Sequence, residues 1–394
     1  MKSLPQNILK LLDEVIGHAK RPVALHEPEF KGREWEYVKD CLDSGWVSSA
    51  GAYVSDFEHR LCFITGAKHA IAVVNGSAAL HAALLVCGVR AGDEVLVPAL
   101  TFVATANAVS YCGAIPHFID SEAVSLGVSS IALETYLSEI AELQPNGLRN
   151  RLTGRRIAAI VPMHVFGHSC DMPALLDVTA KWSLPVVEDA AEALGSSLSG
   201  RHLGTFGKVG VLSFNGNKLV TTGGGGAVLT DCAEMARRLK HITTTAKLAH
   251  DWSFVHDEIG YNYRMPNLNA ALGCAQLEKL PALLAKKRSL AKAYIDASSK
   301  YSGFSILSEP VNGVSNYWLN AVRLGMGDII LRDAILSLTN EAGFQCRPLW
   351  TLMHRLPMYQ TCPRAPLPVA EELEAQIINI PSSPSLAKDQ HFNA

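Results

Sequence analysis

Through the first 230 residues, short apolar runs alternate with helix-length segments. Residues 70–74 (Ala-Ile-Ala-Val-Val) are followed by the turn Asn75-Gly76-Ser77 and a small-residue helix over 78–87. The run at 94–98 and a helix at about 103–112 repeat the unit; the run at 157–162, a helix near 173–182 and the run at 184–188 continue it. Continuous apolar runs, rather than alternating ones, mark strands covered on both faces. Strands alternating with helices predict a mostly parallel sheet between helical layers. Ahead of this block, residues 1–21 read as an amphipathic helix. Residues 31–45 read as a second, with Trp35, Val38 and Leu42 at helical spacing, broken by the segment 45–51; residues 56–66 form a third. Behind it come a strand at 227–230, a helix at 232–242 and a long helical stretch from about 267 past 300. A strand pair (304–307 and 317–324), a helix near 331–342 and a last strand at 344–347 complete the pattern. The expected division is a large domain over 1–280, N-terminal helical segment included, and a smaller α/β domain over 281–394.

Composition narrows the class. A chain of 394 residues, 48% hydrophobic and 18% charged, can bury a large core and does not have the composition of a disordered protein. A net charge of -2 without a run of one sign argues against nucleic-acid or membrane-surface partners. The nine cysteines are scattered and form no C-x-x-C, so neither a disulfide framework nor a metal site is expected, and a reducing cytoplasm fits. The N-terminal helix lacks the uninterrupted apolar core of a signal peptide, and no apolar stretch is long enough for a bilayer.

The chemistry gathers where strands end. Lys218 follows Ser213-Phe214-Asn215-Gly216-Asn217 and precedes the glycine run 223–226; Asp189 closes the apolar run that leads through Glu188. A lysine able to form a Schiff base, with a carboxylate placed to keep a pyridine nitrogen protonated, is what pyridoxal phosphate (PLP) requires. Gly76 and Ser77, between a buried strand and a helix, can offer N–H groups and a hydroxyl to a phosphate, although Ser there would also serve as an ordinary cap. Phe102 follows the 94–98 strand, where an aromatic could stack on a flat ring. His164 could line the same pocket. In open parallel sheets ligands lie outside the carboxyl ends of the strands, and these features converge there. The glycine run itself reads as close packing or a tight turn rather than a phosphate loop.

Taken together, the segments 76–84, 98–106, 188–195, 213–218 and 260–265 (Gly-Tyr-Asn-Tyr-Arg-Met) resemble those of the DegT/DnrJ/EryC1/StrS sugar aminotransferases. The resemblance is dense from 25 to about 280 and looser beyond. It implies the type I, aspartate-aminotransferase-like fold with PLP as cofactor. It implies that Lys218 is the covalent lysine and proton shuttle and that Asp189 partners the pyridine nitrogen. By the same likeness Phe102 stacks on the ring, and Gly76, Ser77 and Ser213 hold the phosphate. Asn262 would reach the cofactor phosphate of a neighbouring subunit, which implies a homodimer with shared sites. Glu192 stands near the cofactor 3-oxygen where most relatives carry Gln, and His354, after Trp350, corresponds to a sugar-contacting histidine. The implied reaction is ping-pong: an amino acid, glutamate by expectation, gives its amine to the cofactor, and a nucleotide-linked keto-sugar receives it. Details of 215–218 and 188–195 are most similar to the subgroup acting on UDP-4-keto-6-deoxy-N-acetylhexosamines in legionaminic acid or bacillosamine pathways.

Three other readings stand beside this one. A PLP-dependent sugar dehydratase of the compared type would carry His at position 218. A cofactor-binding scaffold without catalysis would not need the Lys218 and Asp189 pair. A nicotinamide enzyme would show G-x-G-x-x-G after its first strand, which this chain does not.

Overall fold

In the computed structural model, residues 4–388 are described. The alternation seen in the sequence builds one central sheet. Its strands are β1 (His69–Val73), β2 (Glu94–Pro98), β3 (Ile115–Ile119), β4 (Ile157–Ile160), β5 (Val187–Asp189), β6 (Val209–Ser213) and β7 (Gly226–Thr230). Strands β3, β2 and β4 pair in parallel, as do β5 and β6. Parallel bridges Ile160–Val186 and Met163–Asp189 join the two groups. Strand β7 lies antiparallel between β6 and β1. The spatial order is therefore β3-β2-β4-β5-β6-β7-β1, mostly parallel as the apolar runs predict. Every residue of β2, β5 and β7 is buried, which explains why those runs do not alternate.

The crossover helices include α4 (Gly76–Val86), α5 (Val103–Tyr111), α6 (Ser130–Ile140) and α7 (Met172–Lys181); α8 (Ala233–Thr243) follows β7. Ahead of them come α1 (Leu4–Ile16), α2 (Glu34–Ser44) and α3 (Ala52–Thr65). The long helical stretch is two helices, α9 (Asn267–Glu278) and α10 (Leu280–Ser298), divided at Lys279. Pro281 explains the break: it lacks an N–H and is tolerated only in a first turn.

The C-terminal half forms a second sheet from β8 (Phe304–Ile306), β9 (Asn320–Leu324), β10 (Arg347–Pro348) and β11 (Ile377–Ile380), in the order β8-β9-β11-β10, with α11 (Ile329–Glu341) and α12 (Pro368–Gln376). The last strand is thus β11, not the expected 344–347. Strand β11 follows α12 without an intervening turn residue, so the pattern gave no sign of it. Phe344 instead bridges Val23 near the start of the chain. Helix α1 buries Ile8, Leu11, Leu12 and Ile16 in the same cluster as Leu290 and Tyr294 of α10 and Val322 of β9.

Helix α2 forms as expected, with Val38 half-buried, but two of its three spaced apolar positions face outward. Cys41 is buried, whereas Trp35 and Leu42 are 74% and 57% exposed on this single chain.

Candidate active site

Strands β1, β2, β4, β5 and β6 all end at one edge of the sheet, and β7 begins there, since Gly226 pairs with both Val73 and Ser213. After β1, the Asn75 side chain accepts the Ala78 N–H at 2.8 Å and caps α4. Gly76 and Ser77 occupy the first turn, where helix N–H groups favour an anion. The contacts around this turn are backbone-close. A Cβ on Gly226 would lie 2.5 Å from the Asn75 carbonyl oxygen, and one on Gly76 would lie 3.0 Å from Ser213 Cβ. Glycine at both positions lets the turn, the end of β6 and the start of β7 close into one cradle. The glycine run thus serves close packing.

Lys218 lies in the turn after β6, its amide donating to the Asn215 carbonyl at 3.0 Å. Its Nζ is 3.3 Å from Glu192 Oε1. The other Glu192 oxygen accepts the Phe166 N–H at 2.9 Å, which fixes the carboxyl plane. Burial pushes the Glu192 carboxyl up to about 7, more than Lys218 and the Phe166 N–H pull it down, and the charge of Asp189 adds to the rise. Asp189, at the end of β5, is almost fully buried. It accepts the Thr105 hydroxyl at 2.7 Å and the Ala191 N–H at 3.2 Å. Burial also raises Asp189 above the usual carboxylate range, because these donors, Lys218 and His164 do not offset the lost hydration.

Phe102 caps α5 beside this edge. It is 47% exposed, an unusual state for an aromatic in the middle of a fold, and its ring lies 6.1 Å from that of Trp350. Phe166, at a positive φ of 56°, also packs against Trp350, with ring centroids 5.3 Å apart. Ser213 is half-buried at the end of β6. Asn262 is exposed on the segment whose Tyr263 carbonyl accepts the Val74 N–H at 2.8 Å, so it flanks the phosphate-type turn.

The two histidines fare differently. His164 does not line the pocket. Its ring is fully buried, with Nε2 3.0 Å from Glu188 Oε2 and Nδ1 accepting the Cys170 N–H at 3.2 Å. With both nitrogens engaged, it is a strut behind β5 rather than a substrate contact. His354 lies on a short turn whose Met353 N–H donates to the Ala99 carbonyl at 2.9 Å, just past β2. Its Nε2 is 3.5 Å from Glu371, its buried Nδ1 has no partner among the described residues, and burial lowers its pKa.

Four participants were not read from the sequence. Thr105 holds Asp189. Trp318 lies under Lys218, with Nζ 3.9 Å from its ring centroid. Asn316 donates to the Glu192 and Leu194 carbonyls at 2.8 and 3.0 Å. His26 has both ring nitrogens buried and unpartnered among the described residues; burial first, then Lys287 and Lys218, hold it well below the usual histidine range. Three of the four come from distant segments. Thr105, three residues after the expected Phe102 and an i, i+4 partner of Thr101, is the one with a local signal.

These residues fit PLP. The α4 turn suits a phosphate, Phe102 offers an uncovered aromatic face, Asp189 is a buried carboxylate short of a cation, and Lys218 supplies an amine. The DegT/DnrJ/EryC1/StrS aminotransferase family matches residues 28–393. The GDP-perosamine synthase of Escherichia coli O157:H7 is 35% identical over 93% of this chain and 95% of its own. A putative pyridoxal phosphate-dependent aminotransferase of Bacillus subtilis, EpsN, is 34% identical over 94% and 93%. Among solved structures, Helicobacter pylori PseC, an aminotransferase involved in the biosynthesis of pseudoaminic acid, superposes with a TM-score of 0.82 at 26% identity, over 92% of this chain and 94% of that one. With the type I fold and the site chemistry agreeing, this chain belongs to the DegT/DnrJ/EryC1/StrS family of PLP-dependent aminotransferases.

Proposed function

We propose that this aminotransferase acts on a nucleotide-linked keto-sugar, with an amino acid, glutamate by expectation, as donor. The observation that carries the reading is the grouping of Lys218, Glu192 and Asp189 at the sheet edge beside the α4 turn. PLP, when bound, supplies the electron sink that lets an amine move between two carbons. Asp189 would hold the ring nitrogen protonated, and the cation would in turn restore Asp189 to its ionised form. Gly76, Ser77 and Ser213 would bind the phosphate, and Phe102 would cover one face of the ring. Lys218 would anchor the cofactor aldehyde and, once free, carry the proton between the two reacting carbons. Glu192, fixed by Phe166, lies within reach of that nitrogen. His354, with Nδ1 unpartnered, is the candidate sugar contact.

Two acceptors have support. The sequence resemblance favours a UDP-4-keto-6-deoxy-N-acetylhexosamine, whereas likeness to GDP-perosamine synthases favours a GDP-linked sugar. Visible absorbance of the purified protein tests the first step: a yellow band that bleaches with glutamate is expected. Protein that stays colourless after PLP is supplied would sink the reading and leave the scaffold alternative. Restoration of the band by UDP- or GDP-linked keto-sugar then decides the acceptor.

The same reading includes a homodimer. Exposed Trp35, Trp252, Phe254 and Ile259, each more than 70% accessible on one chain, are candidates for burial between subunits. Mixing inactive Lys218→Ala chains with Asn262→Ala chains should recover activity through sites built from one intact residue of each. No recovery on subunit exchange would mean that Asn262 does not act across the interface. We also propose two domains divided near 280, with α1 joined to the C-terminal one by its contacts.

A further inference from the structure

Lys218 must do two things at different times: hold the cofactor, and move free of it as a base. A released lysine has a long flexible stem and needs somewhere to rest. Nζ lies 3.9 Å from the centroid of the Trp318 ring and 3.3 Å from Glu192 Oε1.

Trp318 is held in that position from three sides. Its indole N–H donates to the Asn217 carbonyl at 2.8 Å, which ties the ring to the residue just before the lysine. Its backbone N–H donates to Asn316 Oδ1 at 2.8 Å, and Asn316 Nδ2 in turn holds the Glu192 and Leu194 carbonyls. Its carbonyl accepts from Lys287 Nζ, also at 2.8 Å. Lys287 is itself fully buried and spans to the Ser382 carbonyl. One segment of the C-terminal half therefore fixes the lysine's aromatic floor and the backbone of its carboxyl neighbour together. A structural tryptophan would need no such alignment with an amine.

Resting on the proposed role of Lys218, we infer that Trp318 is a positioning residue whose ring face, with Glu192, forms a dock for the cationic nitrogen of Lys218. An aromatic face attracts a cation through its quadrupole, and most strongly for Trp. The dock receives the lysine after it has taken up a proton, and the aromatic face favours that charged form over the neutral one.

The test reads protonation rather than rate. The reactivity of the free Lys218 amine toward trinitrobenzenesulfonate follows its neutral fraction. Cofactor-free wild type, Trp318→Phe and Trp318→Leu are labelled across pH, labelling at Lys218 is quantified by peptide mass spectrometry, and melting temperature is measured on the same samples; a separate PLP-loaded wild-type sample, reduced with borohydride, checks Lys218 itself. The charged groups facing Lys218 (Glu192, Asp189 and His26) are unchanged in all three. Loss of the ring face should lower the midpoint by roughly half a unit to one unit in the Leu variant, and by about half as much in the Phe variant. A folded Leu variant whose Lys218 titrates like wild type overturns the dock. So does a Phe variant shifted as far as Leu, which would assign the effect to the lost Asn217 hydrogen bond. Should the Leu protein fail to fold, the Phe protein decides alone: an unchanged midpoint overturns the inference, a lower one supports it. If wild type itself shows no band that reduction fixes onto Lys218, the role of Lys218 fails, and the dock with it.

Discussion

Glu188 and Asp189 are adjacent carboxylates on one buried strand, yet they live in opposite circumstances. Side chains alternate across a strand, so one faces the interior behind the sheet edge and the other faces the active site. Behind, Glu188 accepts the Gly204 N–H at 2.8 Å, the Gly207 N–H at 2.6 Å and His164 Nε2 at 3.0 Å. In front, Asp189 has one hydroxyl and one backbone N–H, and its pKa is raised by burial. A buried charge that is fully hydrogen-bonded is part of the scaffold; one left short of donors is waiting for a cation. The comparison separates structural from functional acids without reference to either's chemistry.

The sharpest break of this comparison is on the front side. Lys218→Ala should abolish transamination, by about ten-thousandfold or more, while the protein still binds PLP without a covalent bond. Substantial residual turnover would remove Lys218 from its role. Asp189→Asn comes next, with activity falling by about a hundredfold to a thousandfold and melting temperature of the cofactor-free protein unchanged or higher. A drop in stability equal to that of a structural acid would erase the front–back distinction.

The rear side should respond in the other currency. Glu188→Gln is expected to cost about 2–4 kcal/mol in urea unfolding, because the Gln side chain cannot accept from two glycine N–H groups and His164 at once. The folded fraction should keep its absorbance response to glutamate; its loss would place Glu188 in the chemistry.

The smallest effect sharpens the contrast through pH. Folded Glu192 holds its proton up to about 7, against an ordinary value of 4.5. The native state therefore binds more protons between those values, and stability falls as pH rises through that window. The decline is at most about 1.4 kcal/mol per pH unit. Glu192→Gln has no such proton to lose. The stability of cofactor-free wild type should decline relative to Glu192→Gln from pH 4.5 to 7 and run parallel above it. A constant gap between the two proteins across that range would show that Glu192 is not strained by its burial.

Much of the front side was legible in the sequence, because strand–turn–helix punctuation places Asn75-Gly76-Ser77, Phe102, Asp189 and Lys218 at strand ends without knowledge of the pairing. The sequence could not show on which side of its strand a neighbouring polar group would fall. His164 has the same local setting as a pocket residue, and only the parallel pairing of β4 with β5 turns it toward Glu188. Trp318, Asn316 and His26 were invisible for a related reason: each reaches the site from a loop far along the chain, and no spacing rule links Trp318 to Lys218. The C-terminal sheet was read least well. Its central strand β11 has four buried residues and starts where α12 stops, leaving no punctuation between them.

Helix α1 carries a consequence for the order of synthesis. Its apolar stripe packs against α10 and α11, in one cluster with residues of β9 and β11, so Ile8, Leu11, Leu12 and Ile16 stay uncovered on the ribosome until the chain has emerged past Leu290, Val322 and Ile335. The central sheet can form first, from contacts among residues 69–230, while α1, made before it, is among the last elements to dock. An amphipathic helix left waiting for so long offers a handle to chaperones. It also ties completion of the C-terminal half, with its lysine dock, to a segment made long before it.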